Sequence, residues 1–168
     1  RCVMVDSSAR LQKYYASAPA GEIAREGLSL FHSAFSQTWH FTNFPEAFSA
    51  NVRGGSVDFL IHPFTFREPD ASTTGKLEVL VDIYNSGRDF IAELQAAAAD
   101  ASSRIELEYN VYLDPNTDAE KTILLDVQAV SPSQDASSAT LRAVGANVLN
   151  SPYPRTYYRT SKFPGLRR

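Results

Sequence analysis

The sequence predicts an α+β fold that is mainly β, with an antiparallel sheet or a partly open β-barrel. Several short segments alternate between polar and apolar residues, and these segments follow one another in runs instead of alternating with helices. Only two segments show helical periodicity, which predicts a short N-terminal helix and one internal helix. The 168 residues, 43% of them apolar, are enough for one self-sufficient core.

The first 44 residues are predicted to contain a helix and two strands. Residues 7–18 form the helix, because Ser7 or Ser8 can cap its start and Pro19 ends it. Residues 22–31 and 39–44 follow as strands, since their apolar residues alternate with polar ones, although imperfectly in the first.

The middle of the chain contains the clearest strand, residues 77–84, whose core face is predicted to hold Leu77, Val79, Val81 and Ile83. Before it, Gly54-Gly55 marks a turn between two strands, and Pro63 confines its strand to an edge or a bend. After it, residues 87–100 are predicted to form the internal helix. The buried stripe of that helix is predicted to be Phe90, Ile91, Leu94 and Ala98.

Three strands end the predicted domain, over residues 104–113, 121–130 and 139–149. Glu106 and Glu108 lie on the polar face of the first of them, and alternation predicts that both carboxylates meet solvent. The inward residues are predicted to be Ile105, Leu107, Tyr109, Val111 and Leu113 in the first strand and Ile123, Leu125, Val127 and Ala129 in the second.

The residue types that usually carry catalysis or metal binding form no recognisable pattern. His32, His40 and His62 lack metal-ligand spacing, and each is expected at a strand surface or in a satisfied hydrogen bond. The single cysteine, Cys2, lies near the N-terminus, which favours a reducing compartment over a disulfide scaffold. No serine stands in a nucleophile elbow. We therefore expect no catalytic residue, no metal and no cofactor, and a protein that is not an enzyme.

Apolar runs are too short for a membrane-spanning helix or a signal peptide. We therefore expect a soluble domain that does not bind membranes.

Charge is distributed unevenly along the chain. Residues 151–168, here named the C-terminal arm, read SPYPRTYYRTSKFPGLRR and contain five basic residues and no acid. Residues 1–150, here named the body, contain 11 basic and 19 acidic residues. Prolines exclude a central strand or a helix interior for the arm, and its aromatic residues supply apolar surface to bury. The residues expected to contact a partner are Tyr153, Arg155, Tyr157, Tyr158, Arg159, Phe163, Pro164 and Leu166.

Two docking positions are open for the arm at this point: its own domain, or a neighbouring subunit. Nucleic acid is a weaker alternative, because the acidic body would repel a polyanion within a Debye length. We expect no sequence-specific binding to nucleic acid.

Three segments of the chain resemble a phage-tail domain family of unassigned function. They are SAPAGEIAREGLSLFHSAFSQTWHF near the start, LEVLVDIYNSGRDFIAEL in the middle and VLNSPYPRTYYRTSKFPGL at the end. Members of that family are encoded in the tail gene clusters of siphophages and prophages, and they typically close on an FPGL-like ending. More distantly, the family resembles the N-terminal part of the minor tail protein L of lambda-like phages, a component of the tail-tip hub.

The resemblance implies a structural component of a long-tailed bacteriophage tail, located at the distal tail or tail-tip hub of the virion and assembled in the host cytoplasm. It implies a homo-oligomer, with a threefold ring favoured, and contacts with distal tail, tape-measure and tip or fibre proteins. The lambda-like protein continues into a Cys-rich segment suited to an iron–sulfur cluster, whereas this chain has one cysteine, so no cluster carries over. Where the family commonly has an Asn-Val-Asp type turn, this chain has Tyr84-Asn85-Ser86, and only Asn85 matches.

Two other functions remain open from the sequence. A tail-tip enzyme that degrades the cell wall predicts a cleft that gathers a histidine with a carboxylate or a serine. A carbohydrate-binding receptor module predicts exposed aromatic platforms, for which Trp39, Tyr109 and Tyr112 are the candidates.

Overall fold

A computed structural model describes residues 8–17, 19, 21–67, 78–84, 87–100, 102–133, 135 and 137–145, which form two helices and nine strands. The elements in chain order are α1 (Ala9–Ser17), β1 (Ala24–Phe31), β2 (Trp39–Thr42), β3 (Phe48–Val52), β4 (Gly55–Ile61), β5 (Phe64–Phe66), β6 (Glu78–Tyr84), α2 (Arg88–Ala99), β7 (Ile105–Leu113), β8 (Ala119–Pro132) and β9 (Ser138–Val144). Both predicted helices are present. The last predicted strand, residues 139–149, ends at Val144, and its residues 146–149 lie outside the described residues.

The nine strands form one open mixed sheet with the order β3-β4-β2-β1-β7-β8-β9-β6-β5. The predicted class, α+β and mainly β, is therefore confirmed, and the sheet does not close into a barrel. Neighbouring strands pair antiparallel except for β2 and β4, which pair in parallel through Phe41 with Leu60 and Thr42 with Ile61. Strand alternation in the sequence did not predict this parallel pair.

At a bend around Pro63 the chain passes from one end of the open sheet to the other. Strand β4 pairs with β2, the chain turns at His62-Pro63, and β5 then pairs with β6 at the other end of the sheet. Asn43 holds the bend, because its Nδ2 donates to the Phe64 carbonyl at 2.7 Å and its Oδ1 accepts the Phe64 N–H at 2.6 Å. The prediction of a bend or edge at Pro63 is confirmed, as expected for a residue that has no N–H to continue a ladder.

One face of the sheet and helix α2 enclose the main core. Ser8 caps α1, since its Oγ accepts the N–H of Leu11 at 3.0 Å, and Leu11 is buried in this core. All five inward residues predicted for β7 are buried, as are Val79, Val81 and Ile83 of β6, whereas the predicted core residue Leu77 lies outside the described residues. The α2 residues in the core are Phe90, Ile91, Leu94 and Ala97.

Two predicted core positions are wrong, for different reasons. Ala98 is exposed and Ala97 is buried in its place, because the stripe that starts at Phe90 continues at steps of four and three residues. Ala129 is exposed because the pairing between β8 and β9 shifts by one residue at Gln128. Such a bulge turns the following residues to the other face of the sheet.

The hairpin formed by β3 and β4 covers the opposite face of the sheet and makes a second, smaller core. Phe59 of β4 is fully buried there and stacks on Phe48 with ring centroids 4.9 Å apart. Gly27 on β1 makes room for this ring, since a Cβ at position 27 would lie 2.5 Å from Phe59 Cε1. The buried members of this core are Phe48, Ala50, Val52, Phe59 and Tyr112.

Glu108 lies under this hairpin, so the prediction that it meets solvent is wrong. The residue is 5% exposed, and its carboxylate accepts hydrogen bonds from Arg53 Nε at 2.9 Å and from Asn110 Nδ2 at 3.0 Å. Glu106, beyond the hairpin, is exposed as predicted and accepts Arg53 Nη2 at 2.6 Å. Alternation identifies the face on which a carboxylate lies, and tertiary packing decides whether that face is covered.

Arg53 and Gly54 form the turn of the hairpin, one residue earlier than the predicted Gly54-Gly55 turn. Their φ angles are 51° and 84°, a left-handed pair typical of two-residue hairpin turns. A non-glycine residue in this region costs about 1–2 kcal/mol. Contacts of the Arg53 guanidinium offset this backbone strain. The group pairs with the carboxylates of Glu106 and Glu108, and it lies 3.8 Å from the centroid of the Phe31 ring. Although burial opposes its charged form, the hydrogen bonds that Arg53 donates to Glu108 and Glu106 raise the pKa of its guanidinium above the ordinary value.

Arg25 closes the other end of the second core. Its guanidinium lies 4.9 Å from the ring centroid of Phe44 and 5.4 Å from that of Phe48, and Nη2 donates to Asp114 Oδ2 at 3.2 Å. Arginines stacked on phenylalanines and paired with acids thus stand at both ends of the second core.

Replacing Arg53 by alanine should destabilise the fold, because Glu108 then loses its ion-pair partner inside the second core. We expect the free energy of unfolding to fall by about 2–3 kcal/mol, less than for a fully buried pair because Arg53 is partly exposed. Urea unfolding of the wild type and of Arg53→Ala measures this difference.

Arg142→Ala is the matched control for that substitution. Arg142 Nε donates to Glu78 Oε1 at 2.6 Å, but both side chains are about half exposed, so the free energy of unfolding should fall much less than in Arg53→Ala. Equal losses in the two variants would contradict a stabilising role of the Arg53 contacts.

Candidate functional site

A cleft of 440 Å³ lies between the C-terminal end of α2 and strand β8. Its volume falls within the range of ligand sites, about 300–1,000 Å³. Its lining combines small or branched apolar side chains, Ala97, Ala98, Ile105, Val127, Ala129 and Val130, with the polar residues Asp100, Ser103, Arg104 and Gln128. We treat this cleft as the candidate functional site.

Helix α2 forms one wall of the cleft. Residues 96–99 are all alanine, which favours the helix and leaves space beside it. Asp100 ends the helix, and its N–H donates to the Ala97 carbonyl at 3.3 Å. No basic residue lies in the last turn, so the partial negative charge of the helix end stands beside the Asp100 carboxylate. This wall is therefore electronegative.

Strand β8 forms the opposite wall, where it extends past the start of β7. Ile105, the first residue of β7, pairs with Val127, so beyond the bulge at Gln128 residues 129–132 pair with β9 on one side and with no described strand on the other. Because Arg104 and the residues before it lead back to α2, the cleft occupies the line that a longer β7 would follow.

Sequence reasoning did not predict this cleft. The apolar alternation of β8 continues to Ala129 and is interrupted where Val130 follows directly, which is a weak local signal for the bulge at Gln128. The difference in length between β7 and β8 has no local signal, because it depends on which residues pair.

His32, Ser103 and Asp100 meet beside the cleft in an arrangement that superficially resembles a catalytic triad. Ser103 Oγ lies 2.6 Å from His32 Nε2 and 3.3 Å from Asp100 Oδ2. The N–H of Ala34 donates to His32 Nδ1 at 3.0 Å, so the neutral ring carries its proton on Nε2 and donates it to Ser103. A ring nitrogen that donates to the serine cannot act as its general base. The three residues instead tie the loop after α2 to the end of β1.

The Asp100 carboxylate is held in its charged form by the loop itself. Hydrogen bonds from the Ser102 hydroxyl and N–H, and a weaker one from Ser103, keep the pKa of Asp100 below its ordinary value.

Ser29 and His40 make a second serine–histidine contact, on the face covered by the hairpin. Ser29 Oγ lies 2.8 Å from His40 Nδ1, and Ser29 also pairs across strands with Glu108. Ser29 is fully buried, so no substrate can reach its hydroxyl. Burial lowers the pKa of His40, and the nearby Glu108 charge partly offsets this.

His62 lies at the bend between β4 and β5. Its ring meets the ring of Phe41 edge-on, with centroids 4.9 Å apart, and burial lowers the pKa of its imidazole. Each histidine was expected at a strand surface or in a satisfied hydrogen bond. The ring nitrogens of His32 and His40 make such hydrogen bonds, which confirms the expectation for these two residues.

The aromatic residues considered as sugar platforms serve the fold instead. Tyr109 is buried and stacks on Phe66 with centroids 3.9 Å apart, and Tyr112 is buried with its hydroxyl donating to the Asn51 carbonyl. Trp39 is partly buried, and its Nε1 donates to Glu93. A platform role is therefore wrong for both tyrosines.

The predicted partner-contact residues of the C-terminal arm lie outside the described residues, as does Cys2. In the part of the chain that the structure describes, no three His, Cys, Asp or Glu side chains are grouped to hold a metal ion. No helix in those ranges is long and apolar enough to cross a membrane.

Acidification should destabilise the fold through His40. Its pKa in the folded protein lies below the ordinary value of about 6.5, so the unfolded chain binds the proton more tightly. The free energy of unfolding should decrease as pH falls through about 6.5, and the decrease should stop once the folded ring is also protonated. In His40→Gln the free energy should depend less on pH between about 7 and 5.

Urea unfolding at several pH values, with the His40 ring protons followed by NMR, measures both effects. Identical pH slopes for the wild type and His40→Gln, or a His40 midpoint at or above about 6.5, would contradict the partly buried position of this ring.

The sequence of the chain also matches a known protein family. A family model described as "Domain of unknown function (DUF1833)" matches residues 10–158. The match runs from α1 through β9 and includes the first residues of the C-terminal arm. A search of curated proteins found no match. Because the matched region covers most of the chain, the chain belongs to the DUF1833 family.

Proposed function

We propose that the chain is a structural subunit of a long-tailed bacteriophage tail, at the distal tail or tail-tip hub, and that it acts in tail assembly. The proposal extends the resemblance of three sequence segments to a phage-tail domain family. Its main structural support is a contact at Glu93 that joins the first two of these segments.

Glu93 lies on α2, in the second segment, and binds residues of the first segment. Trp39 Nε1 donates to Glu93 Oε2 at 2.9 Å, and the Ser36 hydroxyl donates to the other carboxylate oxygen. Hydrogen bonds from Ser36 and then from Trp39 lower the pKa of Glu93, which favours the charged acceptor. Trp39 also packs edge-on against Phe90, with centroids 5.1 Å apart. The two segments fix each other's positions, which supports treating their resemblance as one fold signature instead of separate chance matches.

The hydrogen-bonding of the histidines favours a structural role over a tail-tip enzyme. His32 donates to Ser103 and so cannot activate it, and His40 contacts a serine that is fully buried. Both histidines thus contribute hydrogen bonds to the fold in places where catalysis would need a free ring nitrogen or an accessible hydroxyl.

In this proposal the body and the arm have different roles. Bodies pack side by side around the tail axis, with a threefold ring favoured, and each arm contacts a neighbouring subunit. The opposite charges of body and arm support the contact, since the body has 19 acidic and 11 basic residues and the arm has five basic residues. Distal tail, tape-measure and tip or fibre proteins are the other partners, and the protein resides in the virion tail after assembly in the host cytoplasm.

Deleting the gene from the phage or prophage that encodes this chain tests the proposal. We expect particles without complete tails, because a hub subunit is required before the tail tube can be completed. Electron microscopy counts tailed particles, and a plaque assay measures infectivity, with the full chain supplied from a plasmid as the restoring control.

His62→Ala, supplied in the same way, separates assembly from enzymatic activity. We expect it to restore complete tails and infectivity, since His62 makes an edge contact with Phe41 and the proposal assigns it no chemistry. Normal tails in the deletion strain would contradict the structural role. Complete but non-infectious tails with His62→Ala would favour the enzyme.

A further inference from the structure

We propose that the cleft between α2 and β8 receives the C-terminal arm of a neighbouring copy of this chain. This contact rests on the proposed function, because it identifies the surface through which subunits would join.

The β8 wall of the cleft offers an edge of strand backbone. Residues 129–132 pair with β9 on one side, and no described strand pairs with them on the other. An extended segment that entered the cleft would continue the line of β7 and would hydrogen-bond with this edge by strand addition. Prolines are compatible with such a segment, because an edge strand needs its N–H donors on one side only.

The lining of the cleft matches the side chains of the arm. Ala97, Ala98 and Ala129 leave space for aromatic rings, above an apolar floor of Ile105 and Val127. The arm supplies such rings at Tyr157 and Tyr158, between the basic residues Arg155 and Arg159.

Charge at the cleft also favours a basic segment. Asp100 and the carbonyl end of α2 put negative charge in its lining, and the last turn of the helix has no basic residue to neutralise it. Arg104 also lines the cleft, and its Nη1 lies 3.6 Å from Asp126 Oδ2, which balances its charge.

The direction of β9 favours a neighbouring copy over the same chain. Strand β9 passes the cleft at Arg142, which pairs with Ala129, and continues to Val144, which pairs with Asp126. The chain therefore leaves the sheet at Gly145 heading away from its own cleft, roughly 10 Å beyond it at the usual strand rise. The residues from 146 to 168 span up to about 80 Å when extended, so they can reach an adjacent copy by continuing outward, whereas filling their own cleft would require the chain to reverse its direction.

Ala98→Arg and Ala96→Arg provide a matched test in the full-length protein. Both positions are exposed on α2, but only Ala98 is among the cleft-lining residues. Arginine near the C-terminal end of a helix is favourable, so the two substitutions should preserve folding equally. Light scattering across a dilution series measures the oligomer. We expect Ala98→Arg to raise the concentration at which the oligomer dissociates by about tenfold or more, and Ala96→Arg to leave it unchanged.

Cysteine cross-linking identifies which copy supplies the arm. Two full-length chains are mixed, both with Cys2→Ser, one with Ala98→Cys and the other with Tyr157→Cys. A disulfide between the two chains is the expected result. A disulfide that forms only when both cysteines are in one chain, or none in either case, would overturn the neighbour contact.

The cleft contact and the tail role fail in different experiments. If the wild type is monomeric, or if Ala98→Arg dissociates at the same concentration as Ala96→Arg, the cleft is not the docking surface, and the gene-deletion result stands by itself. If the deletion strain makes normal tails, the tail role is wrong, whatever the light-scattering result.

Discussion

Phe59 packs directly on the backbone of Gly27, and through this contact the β3–β4 hairpin covers the main sheet. A Cβ at position 27 would lie 2.5 Å from Cε1 of a ring that is fully buried and has no room to move. The close approach gives the sheet a second buried face. Polar groups on that face then need partners inside the protein, because an unpaired buried group costs several kcal/mol. Glu108 with Arg53, Ser29 with His40, and Asn110 with Thr122 meet this requirement.

Most helices and strands could be predicted from the sequence, but the sequence did not indicate which of their faces other elements cover. Alternation in β6 and β7 identifies the residues that face the main core, because the apolar side chains of each strand lie on one face. The same alternation treats Glu106 and Glu108 alike, yet the hairpin covers only Glu108. The parallel pairing of β2 with β4 and the overhang of β8 also depend on contacts between distant segments. The candidate cleft was unpredictable for that reason, because two of its walls meet only in the folded chain.

Several residues whose types suggest a catalytic or binding role in the sequence instead stabilise the fold. His32 holds the loop after α2, His40 fills a position beneath the hairpin, and Trp39 joins β2 to Glu93 of α2. Among the described residues, a cleft lined by small side chains and electronegative at one end is accessible, and the charge of the body is opposite to that of its own C-terminal arm. These features suit a subunit that binds copies of itself, and they give the proposed tail protein a physical means of assembly.

Absolute quantification by mass spectrometry of purified phage particles tests the central claim most directly. If the chain is a hub subunit, each complete tail should contain it in a fixed copy number, and a multiple of three is the favoured value. Complete, infectious tails that contain no copy of the chain would contradict it.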